Sequence, residues 1–450
     1  MQINIKNNDI NKVYNYLVIV IFYELILGGL GKLFGLPIRN TLFIIGVLAT
    51  LYMMYKDKVR IEKTYIISIV VFIVYVIYGS LIGIINGNSL RDIFSDANSF
   101  LGIIYLILLV NYFKEDFKKI NNFLDIVINA STVVAIITIG LFFFSRIYLP
   151  EDVSIISKYM ELNRKLNYGL ITGLVNSNNY ARVYLFNGIF MQVAAMILMV
   201  RLLSKSNNSQ LYSAIKLLIL LIGIFVSNTR GFWLGTGVGI VFLVIYYLLK
   251  RKQLNFSIKK NLIVLLLLLV FVSLLPLTVK KPAGGISSGT ESAKDRLESI
   301  VDFEENISNK VRAIQMKFLG EKIKEKPILG FGFGAHIHEY PEYMKANNLQ
   351  SVNSSNFEFY YVELIFKTGF LGIIYLFGYL IYKFMQLVII LVKYRLGHED
   401  EQILAAWTIA SLSFLSASVT NPYLANLSGI FILVMECYIL DYVYKKYAIK

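Results

Sequence analysis

Residues 217–253 read LLILLIGIFVSNTRGFWLGTGVGIVFLVIYYLLKRKQ: an apolar run, a polar turn holding one arginine, a second apolar run and a basic stop. Neither run alternates apolar with polar positions, so neither is the half-solvated face of a sheet or of an amphipathic helix. Each approaches the ~20 residues an α-helix needs to cross a hydrocarbon core about 30 Å thick. The stretch predicts two membrane spans joined by a short turn, with Arg230 in the turn.

The same pattern repeats outward. The 450 residues are 56% hydrophobic, with a mean hydropathy of +0.62, too apolar to cover a water-soluble surface. About twelve spans are predicted, near 14–31, 39–55, 64–85, 97–113, 121–147, 180–203, 211–228, 231–249, 261–277, 364–392, 402–420 and 424–444. The expected fold is an all-α integral membrane protein. Basic residues follow every even-numbered span: Lys56, Lys58 and Arg60; Lys114, Lys118 and Lys119; Arg201 and Lys205; Lys250 to Lys252; Lys393 and Arg395; Lys445 and Lys446. By the positive-inside rule both termini are then cytoplasmic and the odd-numbered loops external. The net charge of +15 is this topological signal and not a nucleic-acid footprint. The N-terminus leads straight into a span with no small-residue cleavage site, and a single cysteine, Cys437, excludes an internal disulfide.

The expected organisation is nine spans over 1–277, an external segment over 278–363 and three spans over 364–450. A polar loop of about 85 residues is too long for an idle connection. It opens on the flexible KKPAGGISSGTES, then reads as an amphipathic helix with Val311, Ile314, Phe318 and Ile323 near one face, stopped by Pro327. Next comes PILGFGFGAH, 327–336, with glycine at 330, 332 and 334. It lacks the GK[ST] of a phosphate loop and follows no strand, so it reads as a tight turn at the membrane surface.

Few catalytic signatures survive inspection. There is no Walker lysine, HExxH or CxxC, and GISSG at 285–289 lacks the strand-to-helix context of a nucleophile elbow. His336 and His338 form an HxH that would need further ligands to hold a metal. What stands out is external arginine: Arg164, Arg182, Arg230, Arg296 and Arg312. Guanidinium offers a planar fork of donors suited to phosphate oxygens and stays charged in a partly dry site. Such arginines at an outer membrane surface point to a lipid bearing a diphosphate; an interfacial arginine reaching for headgroups is the plainer alternative for Arg230.

These residues carry a resemblance. SNTRGFWLG is similar to the Ser-Arg-Gly signature of the O-antigen ligase and polymerase superfamily, KPILGFGFGAH to its hPLLGxGxGxF element, and EFYYVELIFKTGFLG to its HNxYLELLxETGLxG element. TGLVNSNNYAR, 172–182, resembles its GLFxNPNxxA, and the four elements occur in the family's order. The resemblance implies a membrane-embedded, GT-C-like glycosyltransferase of the bacterial cytoplasmic membrane. It would act without metal or other cofactor on the external face, moving a glycan from undecaprenyl diphosphate to an acceptor hydroxyl. Arg230 and Arg312 match the family's diphosphate-binding arginines, and Glu358 stands where ligases carry a histidine. That departure points to a polymerase and makes Glu358 the expected base, with Glu363 the next carboxylate. Asn179, Arg182, Gly332, Gly334 and Tyr361 would bind substrate, though Tyr361, like Tyr360 and Phe366, also reads as a packing aromatic. The implied partners are the lipid-linked oligosaccharide and membrane lipid, with a chain-length regulator left open. The rival readings are a ligase delivering glycan to a lipid, protein or wall acceptor, and a lipid-linked oligosaccharide flippase.

Overall fold

The computed structural model describes residues 7–29, 31–33, 36–148, 171–177, 180–185, 187–204, 210–227, 229–250, 307–347, 354–355 and 357–448. Among the described residues the regular elements are helices plus one two-stranded hairpin. In chain order they are α1 Asn7–Leu27, α2 Ile38–Asp57, α3 Lys63–Ile85, α4 Leu90–Phe100, α5 Tyr105–Phe113, α6 Phe117–Tyr148, β1 Ile171–Ser177 and β2 Tyr180–Leu185. Then follow α7 Ile189–Ser204, α8 Gln210–Val226, α9 Arg230–Lys250, α10 Ile307–Glu325, α11 Glu339–Ala346, α12 Tyr360–Lys393, α13 His398–Ala417 and α14 Leu427–Ala448.

Among the described residues, eight helical segments are long and apolar enough to cross a membrane: α1, α2, α3, α4 running into α5, α6, α9, α12 and α14. α7 and α8 are shorter apolar helices. The chain is a multi-pass membrane protein. The expected span at 180–203 needs correction, because Tyr180–Leu185 pairs antiparallel with Ile171–Ser177 and the helix starts only at Ile189. Tyr180, Val183 and Tyr184 favour extended backbone, and the Asn187-Gly188 pair separates strand from helix. The expected span at 402–420 falls on the helix α13, which is not one of the eight and whose first turn carries Glu399, Asp400 and Glu401. The expected span at 261–277 lies outside the described residues.

The chain divides into two compact units. The first takes Met1–Arg60, Ile107–Ala293 and Gly397–Ser416. Its centre is α7, buried almost all round because it is apolar all round, with α6, α8 and α9 packed about it. Gln192 in α7 donates to the Ser413 carbonyl at 2.9 Å, and the Ser413 hydroxyl donates to the Gly235 carbonyl at 2.7 Å. Asn187 caps the end of α1 by donating to the Ile26 carbonyl at 2.8 Å. Arg39 and Glu24 form a buried ion pair at 3.0 Å.

The second unit takes Ile61–Leu106, Lys294–Leu396 and Ala417–Lys450. Here the central helix is α14, with nearly every residue from Ser428 to Val443 buried, packed on α3, α4 and α12. Two ionisable groups lie in this apolar interior as a pair: Lys383 Nζ meets Asp441 Oδ1 at 2.7 Å, with side chains only 6% and 0% exposed. Beside them the Tyr379 hydroxyl donates to Ser68 Oγ at 2.7 Å.

α12 is two helical segments that meet at a kink, because Gly369 (φ 64°, ψ −177°) breaks it. Backbone groups orphaned at a helix end must find partners, and here residues 327–332 supply them from both sides. The amides of Phe370 and Leu371, opening the second segment, donate to Pro327 and Ile328 carbonyls at 2.8 and 3.1 Å. The carbonyls of Phe366 and Lys367, closing the first, accept from Phe331 and Gly332 amides at 3.0 and 2.6 Å.

The Lys383–Asp441 pair yields a stability prediction. Lys383→Met leaves a buried carboxylate without its counter-ion and is expected to cost about 3–5 kcal/mol. Adding Asp441→Leu is expected to recover most of that loss, read as the melting temperature of detergent-purified protein; a double variant no more stable than the single one would contradict it.

Candidate functional site

The glycine-rich turn is built by close backbone approach. Gly330, Gly332 and Gly334 all have positive φ, at 71°, 82° and 76°. A Cβ on Gly332 would lie 2.0 Å from the Gly83 amide nitrogen of α3, and one on Gly330 would lie 2.5 Å from the Gly369 nitrogen. The large residues between these glycines point into the unit. Phe333 stacks on Phe100 at 5.8 Å and meets Tyr75 edge-on, and its amide donates to the Gly79 carbonyl at 2.9 Å. The Asn88 amide donates to Phe331 and Phe333 carbonyls at 2.9 and 2.8 Å.

A chain of charges runs from this turn. The Gly334 amide donates to Asp96 Oδ2 at 2.6 Å, and Asp96 also accepts from Lys367 Nζ at 2.9 Å. Lys367, 3% exposed, meets Glu363 Oε1 at 2.6 Å, one helical turn earlier in α12. The other oxygen of Glu363 accepts from the Phe357 amide at 3.4 Å. The buried lysine is thus matched by two carboxylates, the condition for leaving a charge inside a protein. The network also anchors the backbone immediately before Glu358.

α10 reaches the same point. Val311, Ile314, Phe318 and Ile323 pack against a buried cluster of Leu319, Ala335, Ile337, Tyr340, Met344, Phe357 and Phe366. Lys322 ties α10 to α11 through Glu339 at 3.1 Å. A hydrogen bond to its own backbone amide, then Lys322, hold the Glu339 carboxyl below its usual range. On α10, Gln315 is buried and its Oε1 accepts from the Glu358 amide at 3.2 Å. One turn earlier, Arg312 Nε forms an ion pair with Glu358 Oε2. The Arg312 side chain is 18% exposed and that of Glu358 41%. Contact is through the inner nitrogen, whereas four of the five guanidinium N–H donors sit on the two outer nitrogens.

Two sequence candidates, Arg312 and Glu358, therefore touch. Gly332 and Gly334 sit in the turn, and both amides have protein partners. Tyr361 lies half-buried in the first turn of α12. Arg230 belongs to the first unit, half-buried as the first residue of α9, where the helix N-terminus adds positive potential. Buried Ser227 and Thr229 precede it, and Phe225 stacks on Trp233 at 5.8 Å. Arg182 lies in β2 opposite Val175, and Asn179 is outside the described residues. His336 Nε2 meets Asp92 Oδ2 at 3.2 Å while its Nδ1 hydrogen-bonds Ser354 Oγ at 2.7 Å; His338 stacks on it at 5.6 Å. Among the described residues no three metal-ligating side chains converge.

Sequence reasoning missed Gln315, Asp96 and Lys367. The signal for Lys367 was a lone lysine in the apolar ELIFKTGFLG, and an intramembrane charge implies a partner without naming it.

Comparison with known proteins covers both units. Residues 215–377 match the O-antigen ligase family. Over 442 residues the chain is 23% identical to an O-antigen polymerase of Shigella flexneri, spanning 95% of this chain and 94% of that protein.

Replacing Gly332 by alanine is expected to unseat the turn from α3 and from the α12 break together, since the φ and the space both exclude a side chain. The expected loss exceeds about 2 kcal/mol, measured as a lower melting temperature and faster proteolysis. Unchanged melting of Gly332→Ala would contradict the packing described.

Proposed function

We propose that the chain, similar to the O-antigen ligase family over residues 215–377 and to an O-antigen polymerase along nearly its whole length, is a polysaccharide polymerase: a twelve-span, GT-C-like glycosyltransferase that adds undecaprenyl-diphosphate-linked glycan to the hydroxyl of an acceptor repeat unit. The reading puts its site on the outer face of the bacterial cytoplasmic membrane with both termini inside. The observation that supports it is the Arg312–Glu358 pair, which sets a phosphate-binding cation against a proton-accepting carboxylate.

In this reading Glu358 takes the proton as the acceptor O–H bond breaks. The oxygen attacks the anomeric carbon from the face opposite the diphosphate, so configuration inverts. The bond from anomeric carbon to phosphate oxygen breaks, its electron pair leaves on the diphosphate, and Arg312 offsets the growing negative charge. The glycosyl–diphosphate bond supplies the driving force, so no nucleotide is needed, and guanidinium takes the charge-neutralising role a divalent cation holds in other phosphate chemistry. Arg230 is assigned a diphosphate-binding role on its chemistry alone.

A ligase is the second reading, favoured by the family matched over residues 215–377. Polymerase is preferred because the polymerase relative is matched along nearly the whole chain. The two differ in acceptor, not in the chemistry of the donor.

The deciding experiment supplies purified protein in lipid vesicles with only undecaprenyl-diphosphate-linked repeat units and resolves the products on a gel. A ladder of increasing repeat number is expected from the wild type. Arg312→Ala, Glu358→Ala and Arg230→Ala, each shown to melt normally, are expected to lose about 10²–10³ in rate. Arg230→Lys is expected to rescue little, lacking the fork. A wild-type ladder persisting in Arg312→Ala rules out the assigned role, and wild-type protein that extends only a non-repeat acceptor is a ligase.

A further inference from the structure

Glu358 is an odd companion for an arginine meant to hold phosphate, because it fills part of the guanidinium's coordination with a competing anion. We propose that Glu358 keeps the singly charged phosphodiesters of the surrounding bilayer off Arg312, leaving it to a diphosphate able to displace the carboxylate. The inference rests on the reading of Arg312 as a diphosphate ligand.

The physical argument is one of exchange. An arginine at a membrane surface stands among phosphodiester headgroups at very high local concentration, each bearing one negative charge. With no internal counter-ion, Arg312 would be occupied by them. A carboxylate held in contact removes that advantage, because a monoanion displacing Glu358 trades one charge for one. A diphosphate diester brings two charges on adjacent phosphates and can engage the outer nitrogens of the fork bidentately. It alone gains enough to expel the carboxylate. The displacement cost falls equally on both lipids, lowers both affinities, and leaves the weaker ligand unable to occupy the site.

Two features fit an exchangeable counter-ion better than a fixed structural pair. The backbone at Glu358 is held at two successive amides, its own on Gln315 and that of Phe357 on Glu363. A displaced carboxylate is therefore kept near Arg312 by its backbone. Glu358 is 41% exposed, so a displaced carboxylate has water to enter. Lys367, by contrast, is 3% exposed and matched to Glu363 and Asp96, which leaves it no such route. The design also releases the proposed base only when donor occupies Arg312, so donor binding precedes acceptor activation.

The test measures binding, so loss of activity cannot confuse it. Wild type, Glu358→Gln, Glu358→Asp and Arg312→Gln are purified in uncharged detergent and titrated with undecaprenyl diphosphate and, separately, with phosphatidylglycerol. The affinity for phosphatidylglycerol is the readout. Glu358→Gln is expected to bind phosphatidylglycerol about tenfold more tightly, the scale of one charge-assisted contact, with a similar gain for undecaprenyl diphosphate because both lipids displace the same carboxylate. Glu358→Asp keeps the charge and is expected to keep most of the wild-type exclusion of phosphatidylglycerol. Unchanged phosphatidylglycerol affinity in Glu358→Gln overturns the inference, as does an equal rise in the aspartate and glutamine variants. Arg312→Gln separates this failure from that of the underlying reading. If it binds undecaprenyl diphosphate as wild type does, Arg312 is not a diphosphate ligand; if it loses that binding while Glu358→Gln keeps the wild-type phosphatidylglycerol affinity, only the exclusion inference fails.

Discussion

A helix break in the second unit organises everything that surrounds its candidate site. At Gly369 the ladder of α12 stops and restarts, leaving carbonyls and amides that cannot stay unpaired in an apolar setting. Residues 327–332 satisfy two of each, and the Tyr78 hydroxyl donates to the Thr368 carbonyl at 3.0 Å. A continuous α12 would have no need of the turn, and the turn without the break would expose its own backbone. From this joint two arms emerge. α10 runs directly into Pro327, and residues 357–359 lead directly into the first segment of α12. Arg312 sits on one arm and Glu358 on the other, so the geometry of their contact is set by how a helix is interrupted.

Glycine makes the joint possible, for a different reason at each position. Gly369 admits the Ile328 carbonyl at a place where a Cβ would lie 2.1 Å from its oxygen. Gly332 lets backbone rest on the Gly83 backbone, and Gly334 turns its amide toward Asp96. Through Asp96 the joint becomes electrostatic as well as steric. Lys367, in the residue pair just before the break, is held by that aspartate and by Glu363. Removing either carboxylate would leave a buried ammonium half compensated, which is why the loop, α4 and α12 hold together as one body.

Much of this was legible in the sequence, and the limits have physical causes. Apolar runs of spanning length identify helices because membrane insertion depends on composition more than on partners. The alternating glycines of GFGFG announced a turn, and the apolar positions of α10 announced a packed face, because both are local. The strand pair at 171–185 was lost because Tyr, Val and Leu serve a short apolar helix and a strand alike, and periodicity cannot separate them over six residues. The partners of Lys367 and Lys383 were lost for another reason. Asp96 lies 271 residues from Lys367 in sequence, and no local pattern encodes which of the chain's acids folds against it. For Arg312 and Glu358, chemistry and resemblance each named a residue, but only the structure shows that they touch.

Burial decides what each ion pair in this unit can do. Lys383–Asp441 and Lys367–Glu363 are shut off from water, so separating either one strands a charge in low dielectric, and these pairs act as fixed parts of the scaffold. Arg312–Glu358 has one partner mostly buried and the other 41% exposed. Its carboxylate side is open to water, while its arginine sits on α10, whose Val311 and Ile314 pack against a buried cluster. A pair with one partner open to water contributes less to stability than the shut-off pairs do. Holding the fold is therefore mainly the work of Lys383–Asp441 and Lys367–Glu363, and the role proposed for Arg312–Glu358 is of a different kind.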